Sequence, residues 1–423
     1  MYVKRKNIIS FLTLSMILIM IFSINYTENI NMIIAYTTLI LSVIWMGKCF
    51  NNIFLLVMST FIAYSNYSII VGIYIDKRLR PKYLYPQITD VKIYGTGIAM
   101  IFVFMLFLVL FTPKFNKNNI NIAENFVRKE NYNIILFIIT ACLFLIIIIV
   151  GYSGGNNDRG SSSALYEYGI ILMILLFYFS GRRKVNLYIS GCLCLIYVLN
   201  SLINGTRIEA LMCIIVFVLC FFKDGIRPLY LFIGMIIGLI AFSVVGTIRG
   251  NWMLMLNNHG DIFKTLFENK LVFDTCTHAY FPMLCMIEEF YDFSLSNSLH
   301  YLTRFIFSII MGQSRVYDGD LIVVVGRSYY HNNGGVTLGF FYVWFSYFGS
   351  FIFGMLVLFF TKFISKITDN ISECKCCALL YIVASVPRWY LYGPWSITRG
   401  ISICMIVFWS VRKMNNVIKR RRN

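Results

Sequence analysis

The chain is short of charge. Only 13% of its 423 residues are Asp, Glu, Lys or Arg, and 59% are hydrophobic. Soluble domains carry about a quarter charged residues. A water-soluble fold of this size has no single core large enough for so much apolar surface. Acidic residues are scarcest, 19 against 37 Lys and Arg, with four histidines and seven prolines. No GxSxG, HExxH, phosphate-binding loop or dinucleotide glycine pattern occurs, which argues against soluble-enzyme chemistry and ATP hydrolysis. Most of the twelve cysteines, among them Cys142, Cys192, Cys194, Cys213, Cys220 and Cys404, fall within apolar runs and read as small buried hydrophobes rather than a disulfide framework. Cys276 and Cys285 lie outside the runs, too far apart to bridge if their segment is helical. Cys374, Cys376 and Cys377 lack the companion ligands that a four-coordinate zinc site needs, so neither metal nor cofactor is expected.

What is abundant is apolar sequence in spanning lengths. A helix needs about 20 apolar residues to cross the hydrocarbon of a bilayer. Runs of roughly that kind predict an all-α polytopic membrane protein of about twelve helices, at 7–24, 30–47, 53–75, 93–112, 133–151, 165–180, 185–203, 208–222, 229–248, 338–360, 376–393 and 397–411. One transmembrane domain over 1–423 is expected. Lys4, Arg5 and Lys6 ahead of the run Ile8–Ile24 resemble a signal peptide, but no small-x-small site follows, so an uncleaved first helix with a cytoplasmic start is expected.

Charge supports that orientation. The predicted inner segments hold 22 of the 37 Lys and Arg residues, as the positive-inside rule requires. The remaining cations lie outside or at outer helix ends. That is more than orientation needs, although the net charge of +18 calls for no nucleic acid. A shorter basic outer loop, 76–92, carries five of them. The segment 249–337 is the longest stretch without a predicted span. Its aromatic and apolar patches, Leu271–Phe273, Tyr280–Leu284 and the run 299–312, predict short helices at the interface or dipping into the bundle. Loops of such length in compact proteins are usually functional.

Arginines recur at the predicted outer ends. Arg207 sits in a tight hairpin, where it is either a snorkelling anchor paired with Glu209 or an anion ligand. Arg249 ends the run before the long segment; Arg315 and Arg327 lie within it; Arg388 and Arg399 flank the last outer turn. Guanidinium forks suit diphosphate oxygens, and anionic lipid headgroups are the competing ligand. His331, in His331-Asn332, is a candidate general base, with Asp318 and Asp320 as carboxylate rivals. His259, His278 and His300 have no supporting pattern.

Four features together resemble the Wzy-type O-antigen or capsule repeat-unit polymerases, relatives of the O-antigen ligases. They are Gly205-Thr206-Arg207 in an outer hairpin, Ile248-Arg249-Gly250 before a long outer segment, that segment at 249–337, and Phe345-Ser346-Tyr347-Phe348-Gly349 after it. The resemblance implies a GT-C-like bundle whose large outer loop contains short helices. It implies a metal-independent, inverting glycosyltransferase in the bacterial cytoplasmic (inner) membrane, with its site facing outward. Undecaprenyl-diphosphate-linked oligosaccharides would be donor and acceptor, among membrane lipid. A chain-length regulator and a flippase would be partners. On this footing Arg207, Arg249, Arg315, Arg327 and Arg388 bind diphosphate, and His331, with Asp318 as rival, takes the acceptor proton. Ligases carry a Glu before the glycine where this chain has Ser346 and Tyr347, which favours polymerase over ligase. A flippase or other transporter of lipid-linked oligosaccharide is the remaining alternative. Scarce mid-span charge and prolines lying almost all outside the spans or at their ends, Pro387 excepted, count against it.

Overall fold

The computed structural model describes residues 24–77, 88–113, 115, 126–153, 161–162, 166, 168–222, 227–250, 270–331, 334–365 and 372–420. The expected first span, 7–24, and most of the basic segment 76–92 lie outside the described residues, as does 251–269 of the long segment. The described chain is built almost wholly of helices, with one two-residue antiparallel pairing, Tyr152–Ser153 with Ser161–Ser162.

The helices group into two compact units interleaved along the sequence: Met1–Lys117, Leu231–Ser365 and Tyr390–Pro394 form the first, and Asn118–Tyr230, Lys366–Trp389 and Trp395–Asn423 the second. In chain order they are α1 (Glu28–Cys49), α2 (Ile53–Ile69, prolonged by a π-helical turn Ile70–Ile75), α3 (Val91–Phe111), α4 (Ile134–Val150), α5 (Gly169–Ser180), α6 (Lys184–Ile203), α7 (Arg207–Phe221) and α8 (Pro228–Gly250). Then follow α9 (Asp274–Glu289), α10 (Leu295–Met311), α11 (Leu321–Val325), α12 (Thr337–Phe345), α13 (Phe348–Ser365), α14 (Glu373–Ala384), α15 (Val386–Leu391) and α16 (Ile401–Arg420), the last preceded by a π turn at Ser396–Gly400.

Short polar residues start the apolar runs. Asn52 accepts from the N–H groups of Phe54 and Leu55 at 3.1 and 3.2 Å. Asp90 accepts from Lys92 N at 2.8 Å, and Asn133 from Ile135 N and Leu136 N. Such caps satisfy backbone donors that no intrahelical carbonyl reaches. Seven helices among the described residues are long and apolar enough to cross a membrane: α1, α2 with its π turn, α3, α6, α8 over Pro228–Val245, α13, and Ser396–Lys419. Ile33 and Ile40 on α1, Ile138 and Ile146 on α4, and Phe359 on α13 are exposed. Water penalises such helix faces, whereas lipid tails solvate them. The chain is therefore a helical membrane protein. α4, α5, α7 and α14, at 17, 12, 15 and 12 residues, fall short of the length set by that criterion.

Two expected spans are interrupted. The run 338–360 breaks between α12 and α13 at Ser346, whose φ is +52°. The reversal brings Gly349 against the preceding helix: a Cβ there would stand 2.2 Å from the Phe341 carbonyl oxygen. The run 376–393 breaks at Ser385, between α14 and α15, just ahead of Pro387. The described part of the long segment is largely folded. α9 is buried along most of its length and packs on α2, α3 and α12 within the first unit. Cys276 and Cys285, expected in an outer loop, are buried on this helix as free thiols.

Candidate functional site

In the second unit the α6–α7 hairpin turns at Asn204 and Gly205, the glycine at φ +80°. Thr206 N donates to the Ser201 carbonyl at 2.9 Å, and Asn204 Nδ2 to the Asn200 carbonyl at 2.9 Å. This closed turn starts α7 at Arg207 and puts Glu209 in its first turn. Glu209 is 5% exposed and accepts from Arg388 Nη1 of α15. The sequence suggested Glu209 as a partner for Arg207; the carboxylate binds an arginine 179 positions away instead or as well. Arg207 is half-buried two residues before it. Arg207 thus opens the helix whose buried Glu209 holds Arg388, at the helix end where the macrodipole is positive. The surplus positive charge and the planar donor forks suit a phosphate or diphosphate group.

In the first unit, five of the expected residues, Arg315, Asp318, Asp320, Arg327 and His331, fall between α10 and α12. Asp318, at φ +56°, accepts from Arg327 Nη2 at 2.7 Å. His300 Nε2 on α10 stands 4.0 Å from the other carboxylate oxygen, and the Arg327 guanidinium lies 4.9 Å from the centre of the Tyr317 ring. The hydrogen bond to Asp318 raises the Arg327 pKa, with the carboxylate's charge adding to it. Asp318, the rival candidate base, and Arg327, one expected diphosphate ligand, therefore hold each other. Arg315 is exposed at the end of a 3-10 turn, Gln313–Arg315. Arg249 lies in the last turn of α8, and nothing more is described of it. His331 is half-buried beyond α11, its Nε2 3.4 Å from where a Cβ on Gly326 would stand. The backbone after it is pinned twice, by Gly335 N to the Leu391 carbonyl at 2.9 Å and Val336 N to the Ala279 carbonyl at 3.0 Å.

The other acids here have different employments. Asp320 caps α11 through Ile322 N at 3.0 Å and accepts from Gln313 Nε2 at 3.1 Å. Burial raises its pKa, opposed by the Ile322 N–H. Glu288, at the end of α9, escaped the sequence reading. Burial raises its pKa, a hydrogen bond with Tyr329 opposes the rise, and Asp90 and Glu289 add to it. The acidic pair Glu288-Glu289 closing an apolar patch was its only sequence signal, as it was for His300 that no pattern marked it. Among the described residues no group of His, Cys, Asp and Glu is placed to hold a metal ion. No family model, curated protein or solved structure matches the chain.

Proposed function

We propose that this membrane protein transfers a growing glycan from its polyprenyl diphosphate carrier onto the terminal sugar of a second lipid-linked repeat unit. The reaction extends a bacterial surface polysaccharide, O-antigen or capsule, at the outer face of the cytoplasmic membrane. Twelve spans in a GT-C-like arrangement belong to this proposal. The observation that carries it is the first turn of α7, which opens on Arg207 and whose buried Glu209 holds Arg388 at the end of apolar helices. The chemistry asks for little else. The lipid diphosphate is a competent leaving group, so the protein must stabilise the departing anion and accept the acceptor's hydroxyl proton. Arg207 and Arg388 serve the first need. His331 serves the second better than Asp318, whose carboxylate already holds Arg327.

The test is full-length protein in proteoliposomes, given a defined undecaprenyl-diphosphate-linked repeat unit, with product length read on a gel. Wild type gives long chains. Arg207→Ala lowers turnover by about 100-fold or more, in the range found when one donor to a developing anion is removed. His331→Ala leaves donor binding intact and stops elongation. Long chains from both variants overturn the assignment. Single units moved across the bilayer without elongation establish the flippase instead, and transfer only to a lipid A core acceptor the ligase.

A further inference from the structure

In the second unit α4 and α6 run side by side in the same direction. At one end Asn200 Nδ2 of α6 donates to the Ile148 carbonyl of α4 at 2.9 Å, and nearby the Phe144 and Tyr197 rings stack with centres 5.3 Å apart. At the other end the turn Gly181–Arg183 sits on Tyr132, just ahead of α4. A Cβ on Gly181 would stand 2.4 Å from the Tyr132 Cβ, so glycine is what lets the turn come so close. Arg183 Nη1 donates to Tyr132 OH at 2.9 Å, and its guanidinium carbon lies 3.7 Å from the ring centre. Arg182 Nε ties the same turn to the Val127 carbonyl at 3.2 Å. Lys184 follows on α6, and Lys129 precedes Tyr132 in the 3-10 turn Lys129–Asn131. Arg183, Lys184 and Lys129 are all exposed.

Next to these cations the same two helices turn apolar faces outward. On α4, Ile134 and Ile138 are exposed; on α6, Val185 is 68% exposed and Tyr188 66%. Ile134 stands two residues after Tyr132, and Val185 directly follows Lys184, so charge and aliphatic surface adjoin. Chain orientation asks for positive charge at this end, but not for a guanidinium held on a ring between two helix feet. Of residues 128–130 and 182–184 only Glu130 is acidic and the other five are Lys or Arg, so the fitting partner is an anion. A soluble anion would leave the aliphatic faces unused. A phosphate ester with acyl chains uses both, and α6 is one of the spanning helices, which puts its end at headgroup depth. A headgroup of net negative charge fits better than one whose own cation would meet the lysines and arginines.

We propose that the foot of α4 and α6 is a binding site for an anionic glycerophospholipid, with the phosphate on Arg183, Lys184 and Lys129 and the acyl chains along the two exposed faces. The site lies at the opposite end of α6 from the Arg207 turn, about 30 Å away at the rise of an α-helix, so it does not depend on the transfer reaction proposed above. The experiment is native mass spectrometry of the full-length protein in detergent micelles. The probes are phosphatidylglycerol and phosphatidylcholine, with inorganic phosphate as competitor. Phosphatidylglycerol is expected to bind about tenfold or more tightly than phosphatidylcholine, and phosphate not to displace it. Lys129→Gln with Lys184→Gln leaves the Arg183–Tyr132 bond in place and should weaken phosphatidylglycerol binding about fivefold per cation removed. Arg183→Gln should weaken it at least as much as either lysine, with phosphatidylcholine binding unchanged. Equal binding of the two lipids, displacement by phosphate, or phosphatidylglycerol binding unchanged in both variants overturns the proposal.

Discussion

The two arginine–carboxylate pairs, Glu209–Arg388 in one unit and Asp318–Arg327 in the other, share a chemistry and differ in surroundings. Glu209 is 5% exposed and Arg388 23%; Asp318 is 12% exposed and Arg327 47%. In the first pair both charges have left most of their water, so each depends on the other. In the second the guanidinium keeps its hydration, and screening takes most of the attraction. Of the two, only the buried pair makes a fold depend on keeping an arginine in place, so it is the more informative about function. A membrane bundle that shields a carboxylate to fix a cation there has committed to positive charge at that spot.

The largest expected effect is Glu209→Ala. Stranding Arg388 should cost about 3–5 kcal/mol, read as loss of folded protein in a thermal unfolding series in micelles. The double variant Glu209→Leu with Arg388→Met should recover much of that loss. If the single change proves no worse than Asp318→Ala, burial is not what separates the pairs. Next comes Glu373 at the start of α14, which accepts from Asn131 Nδ2 at 3.0 Å, Tyr178 OH at 2.9 Å and Arg412 Nε at 2.8 Å. It is 15% exposed, slightly more than either compared carboxylate, while its arginine at 38% falls between the two compared arginines. Glu373→Ala should cost about 1–3 kcal/mol by the same unfolding assay.

A smaller effect is pH-dependent. Burial raises the Asp320 pKa above its unfolded value, so the native state binds the proton more tightly. Stability from this group is full below the unfolded value of about 3.9 and declines as pH rises toward the native one. Asp320→Asn should flatten that part of the melting-temperature profile above about pH 4; an unchanged slope removes Asp320 as its source. The smallest effect is Asp318→Ala, expected to leave the melting temperature nearly unmoved. Asp318→Gly should be milder still, because the backbone at φ +56° suits glycine.

Helix positions were legible because apolar runs alone set them: α1, α3 and α6 begin and end within a few residues of the expected bounds. The break at Ser346 was not, since it depends on the packing of Gly349 against Phe341, and the one at Ser385 was signalled only by Pro387 within an otherwise apolar run. α9 was seen only as a patch around Tyr280, because its Thr, His and acidic residues dilute an otherwise apolar stretch. At the candidate site, Arg207, Arg388 and Glu209 were each visible as charges near apolar ends. Which arginine Glu209 would take was not, since that choice is made by a helix 179 residues later.

The burial of α9 has a consequence for biogenesis. α9 is not among the segments apolar enough to span a bilayer unaided, yet it ends up enclosed by α2, α3 and α12. Two of those walls emerge from the ribosome before it and the third after it. α9 therefore cannot be fully housed until α12 has been made. Assembly of the first unit has an order written into its sequence, and truncation ahead of Thr337 should leave α9 open to protease while α2 and α3 remain inserted.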